Sequence, residues 1–281
     1  MQNHITNRIT FGKDDASLAA FQCMLHEMRA EGQPLGSFDF NKLIPMPREL
    51  NIECSSKTNA GLKLYTDFLK ESANVAIAAI FETKSEQSVA TAVLLSKWGI
   101  IAKKEPDIWD LGKRAYQNIQ KHGHPTWREW RLEHWGTKWN AYQCAPLDNS
   151  ADTMVFHTAW NSIPKLVKAL SRKYHYQTIT YRWADEDIGH NVGEFTLKGG
   201  EIIGANVPEN DSREAHEMAA KIIGIDLSDP GVELTTDTRS YAHRNSSEAL
   251  AADESGLEHP TAPTEQAKAP KKKRGTERQD R

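Results

Sequence analysis

The chain has 281 residues, a mass of 31.6 kDa and a net charge of -3. Its length allows one large domain with a tail, because a single hydrophobic core stops growing at roughly 250 to 300 residues. Cys23, Cys54 and Cys144 lie too far apart for a disulfide framework or a zinc ligand set, which favours a reducing cytoplasm. Neither a signal peptide nor an apolar run of about 20 residues is found, which argues against secretion by that route and against a membrane span.

The small net charge hides two regions of opposite sign. From Lys268 to the end there are seven lysines and arginines against Glu277 and Asp280, so the preceding 267 residues carry a net charge of -8. From about Asp229 onward, large apolar residues give way to polar and charged ones. We therefore predict an acidic folded body and a disordered tail over residues 229–281 that is basic at its end.

The first elements follow from apolar spacing. Alternation predicts a strand over residues 5–12. A helix capped by Asp14 or Asp15 follows, with one apolar face that contains Leu18, Phe21, Leu25 and Met28. Residues 38–47 are predicted to be a short extended run, which two prolines close. We thus expect residues 1–50 to form a β-α-β unit of an α+β body.

Helical spacing dominates the middle of the chain. Apolar residues recur at intervals of three and four between residues 57 and 122, in groups such as Val89, Val93 and Leu94. This pattern predicts three or four helices. We assign residues 51–125 to a helical insertion.

Strands return after residue 126. Two strands over residues 137–145 and 153–160 predict a hairpin, because a loop of turn-forming residues joins them. A helix over 163–174 follows, with Leu166, Val167 and Leu170 inward. The last predicted elements are strands over 178–183, 192–197 and 201–205 and a helix over 212–223. Residues 126–228 thus form the second α+β segment.

Tryptophans mark this second segment as the expected core. Six of the eight fall within 57 residues, and an indole can bury on the order of 200 Å². They are Trp127, Trp130, Trp135, Trp139, Trp160 and Trp183.

A family resemblance rests on two runs, EHWGTKWNAY at residues 133–142 and FHTAW at residues 156–160. These runs resemble a family of plasmid- and phage-borne proteins whose carboxy-terminal part is the YubB-type, Api-like, ferredoxin-like domain. The similarity continues through residues 170–171 and 181–193, and residues 3–7 and 38–47 resemble the family's start. The resemblance implies a ferredoxin-like antiparallel sheet backed by helices, in a protein of a mobile genetic element, and it supplies no catalytic residues.

Two groups of side chains are candidates for metal or proton chemistry. Asp185, Glu186, Asp187 and His190 are a dense set of hard-cation or proton-transfer ligands. The alternative is an exposed acidic loop between strands, since no calcium-loop pattern accompanies them. The histidines, His122, His124, His134 and His157, lack the spacing of known zinc motifs. We therefore predict no metal, no cofactor and no catalytic residue.

Aromatic and basic residues offer a possible contact surface. Trp127, Arg128 and Arg131 interleave an indole with guanidinium groups, which suits base stacking and phosphate contact. Lys271, Lys272, Lys273 and Arg274 in the tail could add a salt-sensitive tether. The alternative interpretation is that Trp127 is buried in the core and that the basic tail is a solvated extension without a partner.

The function hypotheses are ranked accordingly. The first is a non-enzymatic accessory protein of a phage or conjugative plasmid that binds and modulates a host protein, with the helical insertion as its contact surface. The alternative is a nucleic-acid-binding accessory protein that uses the Trp127 to Arg131 patch and the basic tail. The third, an enzyme built on the acidic loop, lacks a second anchoring motif. Cytoplasm is the expected compartment.

Overall fold

The computed structural model describes residues 3–81, 83–146 and 150–225, and the predicted tail over 229–281 lies outside them. The strands are β1 (His4–Thr10), β2 (Tyr142–Pro146), β3 (Thr153–Ala159), β4 (Thr178–Asp185), β5 (Gly193–Lys198) and β6 (Glu201–Asn206). The helices are α1 (Asp15–Glu27), α2 (Ser56–Ala78), α3 (Lys84–Lys104), α4 (Pro106–His122), α5 (Trp127–His134), α6 (Pro164–Lys173) and α7 (Arg213–Ile223).

The described strands form one antiparallel sheet in the order β2-β3-β1-β4-β5-β6. The first strand of the chain therefore lies in the interior of the sheet, between β3 and β4. The α+β fold predicted from the sequence is confirmed, as are the hairpin of β2 and β3 and the strand and helix order that follows it.

The β-α-β opening is wrong in its second strand. Residues 38–47 contain no strand but a 3-10 turn, Phe40–Lys42, and a second such turn, Arg48–Leu50, follows. The carboxylate of Asp39 accepts a hydrogen bond from the backbone N–H of Asn41, which closes the first turn. Strands β3 and β4 occupy both edges of β1, so residues 38–47 cannot pair with β1. The segment instead inserts Phe38 and Phe40 into the core.

The main core lies on one face of the sheet. Alternate residues of β1, Ile5 and Ile9, point into it together with buried side chains of α1 and of α6. Of the six clustered tryptophans, Trp130, Trp135 and Trp183 are buried. The expectation that the core lies mainly between Trp127 and Trp183 is therefore too narrow, since nearly half of the buried residues of the main core lie between Ile5 and Leu50. Helix α7 forms a smaller core on the other face of the sheet, against Ala184.

A buried hydrogen-bond network crosses the main core. The side-chain amide of Asn7 donates to the carbonyl oxygen of Ile5 at 2.8 Å and to Oγ1 of Thr158 at 2.9 Å. Its oxygen accepts from the hydroxyl of Tyr181 at 2.7 Å, and that hydroxyl accepts from the backbone N–H of Ile163. Burial raises the pKa of Tyr181 well above its usual value, so the phenol stays protonated and donates. The network joins β1 to β3, to β4 and to the start of α6.

Helices α2 and α4 approach each other at two glycines. A Cβ atom placed on Gly112 would lie 2.0 Å from the carbonyl oxygen of Gly61, and one on Gly61 would lie 2.1 Å from the carbonyl oxygen of Ile108. Real Cβ atoms do not come this close to backbone oxygens. Glycine at both positions therefore allows the two helix backbones to touch.

The cysteines differ in environment, and this makes a testable difference in reactivity. Cys23 is exposed, whereas Cys144 on β2 packs against the main core, and burial raises the pKa of Cys144 to about 11. Because the thiolate is the reactive form, only about one Cys144 in a thousand is reactive at pH 8. In a Cys54→Ser background, which removes the other partly exposed thiol, we expect Cys23→Ser to abolish the fast phase of thiol labelling at pH 8 and Cys144→Ser to leave it intact. Loss of that phase in Cys144→Ser would contradict the assignment.

Candidate protein-binding face

Helix α3 carries apolar residues on two opposite sides. Leu94 and Trp98 are buried against the neighbouring helices. Val89, Val93 and Ile100 are 62%, 63% and 66% exposed. At 3.6 residues per turn, these three share one stripe that lies roughly 140° around the helix from Leu94 and Trp98. We call Val89, Val93 and Ile100 the α3 outer face.

The turn before α3 adds further exposed apolar side chains. Ile77, Ile80 and Phe81, at the end of α2 and just after it, are 59%, 75% and 87% exposed. The side chain of Gln87 donates a hydrogen bond to the carbonyl oxygen of Ala79, which fixes this turn beside the first turns of α3. A capping box formed by Thr83 and Glu86 defines the start of the helix.

Polar and aromatic contacts hold the inner side of α3 in place. The indole N–H of Trp98 donates to the carboxylate of Glu71 at 2.8 Å, and Nζ of Lys97 lies 2.8 Å from the same group. The hydrogen bond from Lys97, followed by that from Trp98, lowers the pKa of Glu71, so the carboxylate stays ionised. The ring of Trp98 contacts the rings of Phe68 and Trp109. These contacts orient the α3 outer face away from α2 and α4.

The spacing of Val89, Val93 and Leu94 predicted a helix without assigning which of them faces inward. In the structure, Leu94 is buried and the two valines are exposed. Apolar and polar residues are mixed around the whole of this helix, so the sequence pattern does not define one apolar face.

The Trp127 to Arg131 patch is largely engaged within the protein. The guanidinium of Arg131 lies over the rings of Trp127 and Trp135, with centroid distances of 5.0 Å and 4.8 Å. It also donates to the sulfur of Met46 at 3.3 Å. Burial lowers the pKa of Arg131, although Asp39 opposes this. Arg128 is exposed and lies 3.8 Å from Glu129. The structure thus gives Arg131 a packing role and leaves Arg128 as the exposed cation.

The acidic loop is brought together only in part. Asp185 is 5% exposed, and its carboxylate accepts hydrogen bonds from the side chain of Asn3 and the backbone N–H of Asp187. His190 lies between Asp187 and Asp211, with nitrogen-to-oxygen distances of 3.4 Å and 3.2 Å, and Glu186 is exposed. Asp185 is therefore buried, and its carboxylate holds the start of the exposed loop in place. Lys271, Lys272, Lys273 and Arg274 lie outside the described residues.

Within the described ranges, potential metal ligands converge elsewhere. One ligand atom from each of His124, Glu133 and His134 lies within 4.8 Å of the other two, where the chain passes from α4 to α5. Ten positions separate His124 and His134 in the sequence, and because this spacing matches no zinc motif, it predicts no shared site for them. Among the same residues, no helix has the length and apolar character needed to cross a membrane.

A match to a known protein family agrees with this α+β architecture. Residues 135–226 match the family described as the ferredoxin-like domain in Api92-like protein. A crystal structure of a protein api92 from Yersinia pseudotuberculosis is 10% identical, with a TM-score of 0.37, and the match covers 75% of this chain and 100% of that one. A search of curated proteins finds no match. Residues 135–226 are therefore similar to the ferredoxin-like domain of Api92-like proteins, and strands β3 and β4 of this segment pair with the amino-terminal strand β1.

Proposed function

We propose that this chain is a non-enzymatic accessory protein of a plasmid or phage, and that it binds a host protein through the α3 outer face. The observation that carries the proposal is the exposure of Val89, Val93 and Ile100 on a helix whose other side is already packed. Fully burying a valine or isoleucine side chain stabilises a complex by about 1.5 to 3 kcal/mol. Exposed apolar patches of this kind mark interaction sites.

The charges around the face favour a protein partner. Its rim carries both signs: Lys84 and Glu86 lie at the start of α3, and Lys103 and Lys104 lie at its end, where both are exposed. A nucleic-acid surface would need a continuous basic stripe. An apolar centre with a mixed polar rim is the usual anatomy of a protein interface. The partner is therefore expected to offer an apolar groove with acidic groups opposite Lys103 and Lys104.

The nucleic-acid alternative is less well supported by the described residues. Arg131 is occupied by Trp127, Trp135 and Met46, so the predicted patch keeps Arg128 as its exposed cation. The acidic balance of the first 267 residues also disfavours a polyanion. Binding through the basic tail remains a prediction.

A charge placed on the α3 outer face tests the proposal. We expect Val93→Glu and Ile100→Glu each to weaken binding of the purified partner at least tenfold, because a carboxylate would be buried in an apolar contact. The partner is first identified by affinity purification from the native host with nuclease present, and its affinity for each variant is then measured directly. Ile203→Glu on β6 is the matched control, because Ile203 is 61% exposed and lies outside α3.

Three outcomes would overturn the proposal. Equal loss of affinity in Ile203→Glu would place the contact elsewhere. A dimer in sedimentation that Val93→Glu dissociates would mean that a second copy of the chain covers this face. Recovery of nucleic acid alone, released by salt, would favour the alternative function.

A further inference from the structure

We propose that His124, Glu133 and His134 form a zinc site at the junction of α4 and α5. This inference is independent of the protein-binding proposal, because it uses none of the residues of the α3 outer face. Two imidazoles and one carboxylate are a common set of zinc ligands, and three protein ligands leave a fourth position for water.

The histidine on α5 is oriented as a metal ligand requires. Nδ1 of His134 lies 2.9 Å from the carbonyl oxygen of Trp130. A carbonyl oxygen only accepts, so in the neutral imidazole Nδ1 carries the proton and Nε2 keeps its lone pair. The ring stacks on that of Trp130 with centroids 4.2 Å apart and planes 7° apart, and Trp130 is itself buried. A ligand histidine typically donates its second nitrogen to a carbonyl or carboxylate in this way.

The loop between the helices holds the second histidine. Gly123 ends α4 with a φ of 78°, a left-handed conformation that reverses the chain direction and that glycine adopts without strain. The side-chain amide of Asn118, which is buried, donates to the carbonyl oxygens of Glu49 and Pro125 at 3.0 Å each. Thr126 then caps α5 by accepting from the N–H of Arg128. His124 is thereby fixed between two anchored neighbours, with its side chain 16% exposed.

Glu133 is the third ligand, and its exposed side chain is the one that can most easily change position. A carboxylate oxygen of Glu133 lies 2.8 Å from Nε2 of His124, and its side chain is 61% exposed. The rings of His124 and His134 are 5.8 Å apart at 83°. Zinc bonds of about 2.0 to 2.2 Å place tetrahedral ligands roughly 3.4 Å apart. In the structure the three ligand atoms lie within 4.8 Å of one another. Each of them would therefore have to move by about 1 Å to bind zinc, which small side-chain rotations allow.

Zinc bound here would join the end of the helical insertion to the ferredoxin-like segment. His124 follows α4, whereas Glu133 and His134 end α5, whose backbone is tied to α6 because Lys165 donates to the carbonyl oxygen of Glu133. The ion is therefore expected to raise the melting temperature of the whole chain, because a ligand that binds only the folded state stabilises it.

Equilibrium dialysis of the full untagged chain against zinc, with elemental analysis, tests the site. We expect one zinc ion per chain, and an affinity at least 100-fold lower in Glu133→Gln and in His124→Ala. His26→Ala is the matched control, because this exposed histidine in the last turn of α1 belongs to another part of the chain. The zinc-dependent rise in melting temperature should persist in His26→Ala and disappear in the two site variants.

The variants are first compared without zinc by circular dichroism, so that a folding defect is recognised. Glu133→Gln keeps the shape of an exposed side chain and serves as the decisive variant if His124→Ala is unstable. The proposal is overturned if the wild-type chain binds no stoichiometric zinc at micromolar concentration. It is also overturned if Glu133→Gln binds zinc as tightly as the wild type.

Discussion

Gly112→Ala is expected to destabilise the protein by about 3 kcal/mol or more, because the added methyl group would overlap the backbone of Gly61. Helix propensity alone predicts the opposite result, a gain of about 1 kcal/mol. The two effects have opposite signs, so the sign of the measured change decides between them. Urea denaturation followed by tryptophan fluorescence gives the free energy of unfolding.

Gly99→Ala is the matched control for this prediction. Gly99 also lies within a helix, α3, but a Cβ atom there would have no neighbour within 4 Å. We expect this variant to be stabilised by about 0.5 to 1 kcal/mol. If Gly112→Ala were as stable as Gly99→Ala, the close approach of α2 and α4 would be refuted.

Asn7→Ala should cost about 2 to 4 kcal/mol of folding stability. The change removes an amide that joins β1 to the hydroxyls of Thr158 and Tyr181, and it leaves a cavity at a fully buried position. The Tyr181 hydroxyl loses its acceptor, although it still accepts from the N–H of Ile163. Chemical denaturation of the variant measures the loss.

A double-mutant cycle separates the hydrogen bond from the cavity. Tyr181→Phe alone should cost about 1 to 2 kcal/mol, and its cost should shrink in the Asn7→Ala background, because the shared hydrogen bond is already absent. Strictly additive losses would show that Asn7 and Tyr181 do not interact.

Strands were predictable where one face of the sheet is buried and the other is polar. In β1, Ile5, Asn7 and Ile9 are buried and the residues between them are not, so the alternation is present in the sequence. Residues 38–47 have a similar local pattern, with Phe38 and Phe40 two apart. Local pattern does not reveal that both edges of β1 are taken by strands more than 140 positions later in the chain.

The candidate sites were less accessible to sequence reasoning, for two different physical reasons. Spacing identified α3 as a helix but could not decide which of its sides meets α2 and α4. The grouping of His124 with Glu133 and His134 depends on the turn at Gly123, which reverses the chain. Arg131 illustrates the converse, because its charge indicated an exposed contact and its position between two indoles makes it part of the packing.

The interior position of β1 sets an order of events during synthesis. Asn7 and Thr158, which hydrogen-bond across β1 and β3, are 151 positions apart, and β4 is made later still. At 5 to 20 residues per second, the ribosome needs roughly 8 to 30 s to supply the first partner of β1. The local contacts of α2, α3 and α4 can form in that interval, whereas β1 waits with both edges unpaired. Newly made chains are therefore most vulnerable to aggregation at their amino-terminal strand.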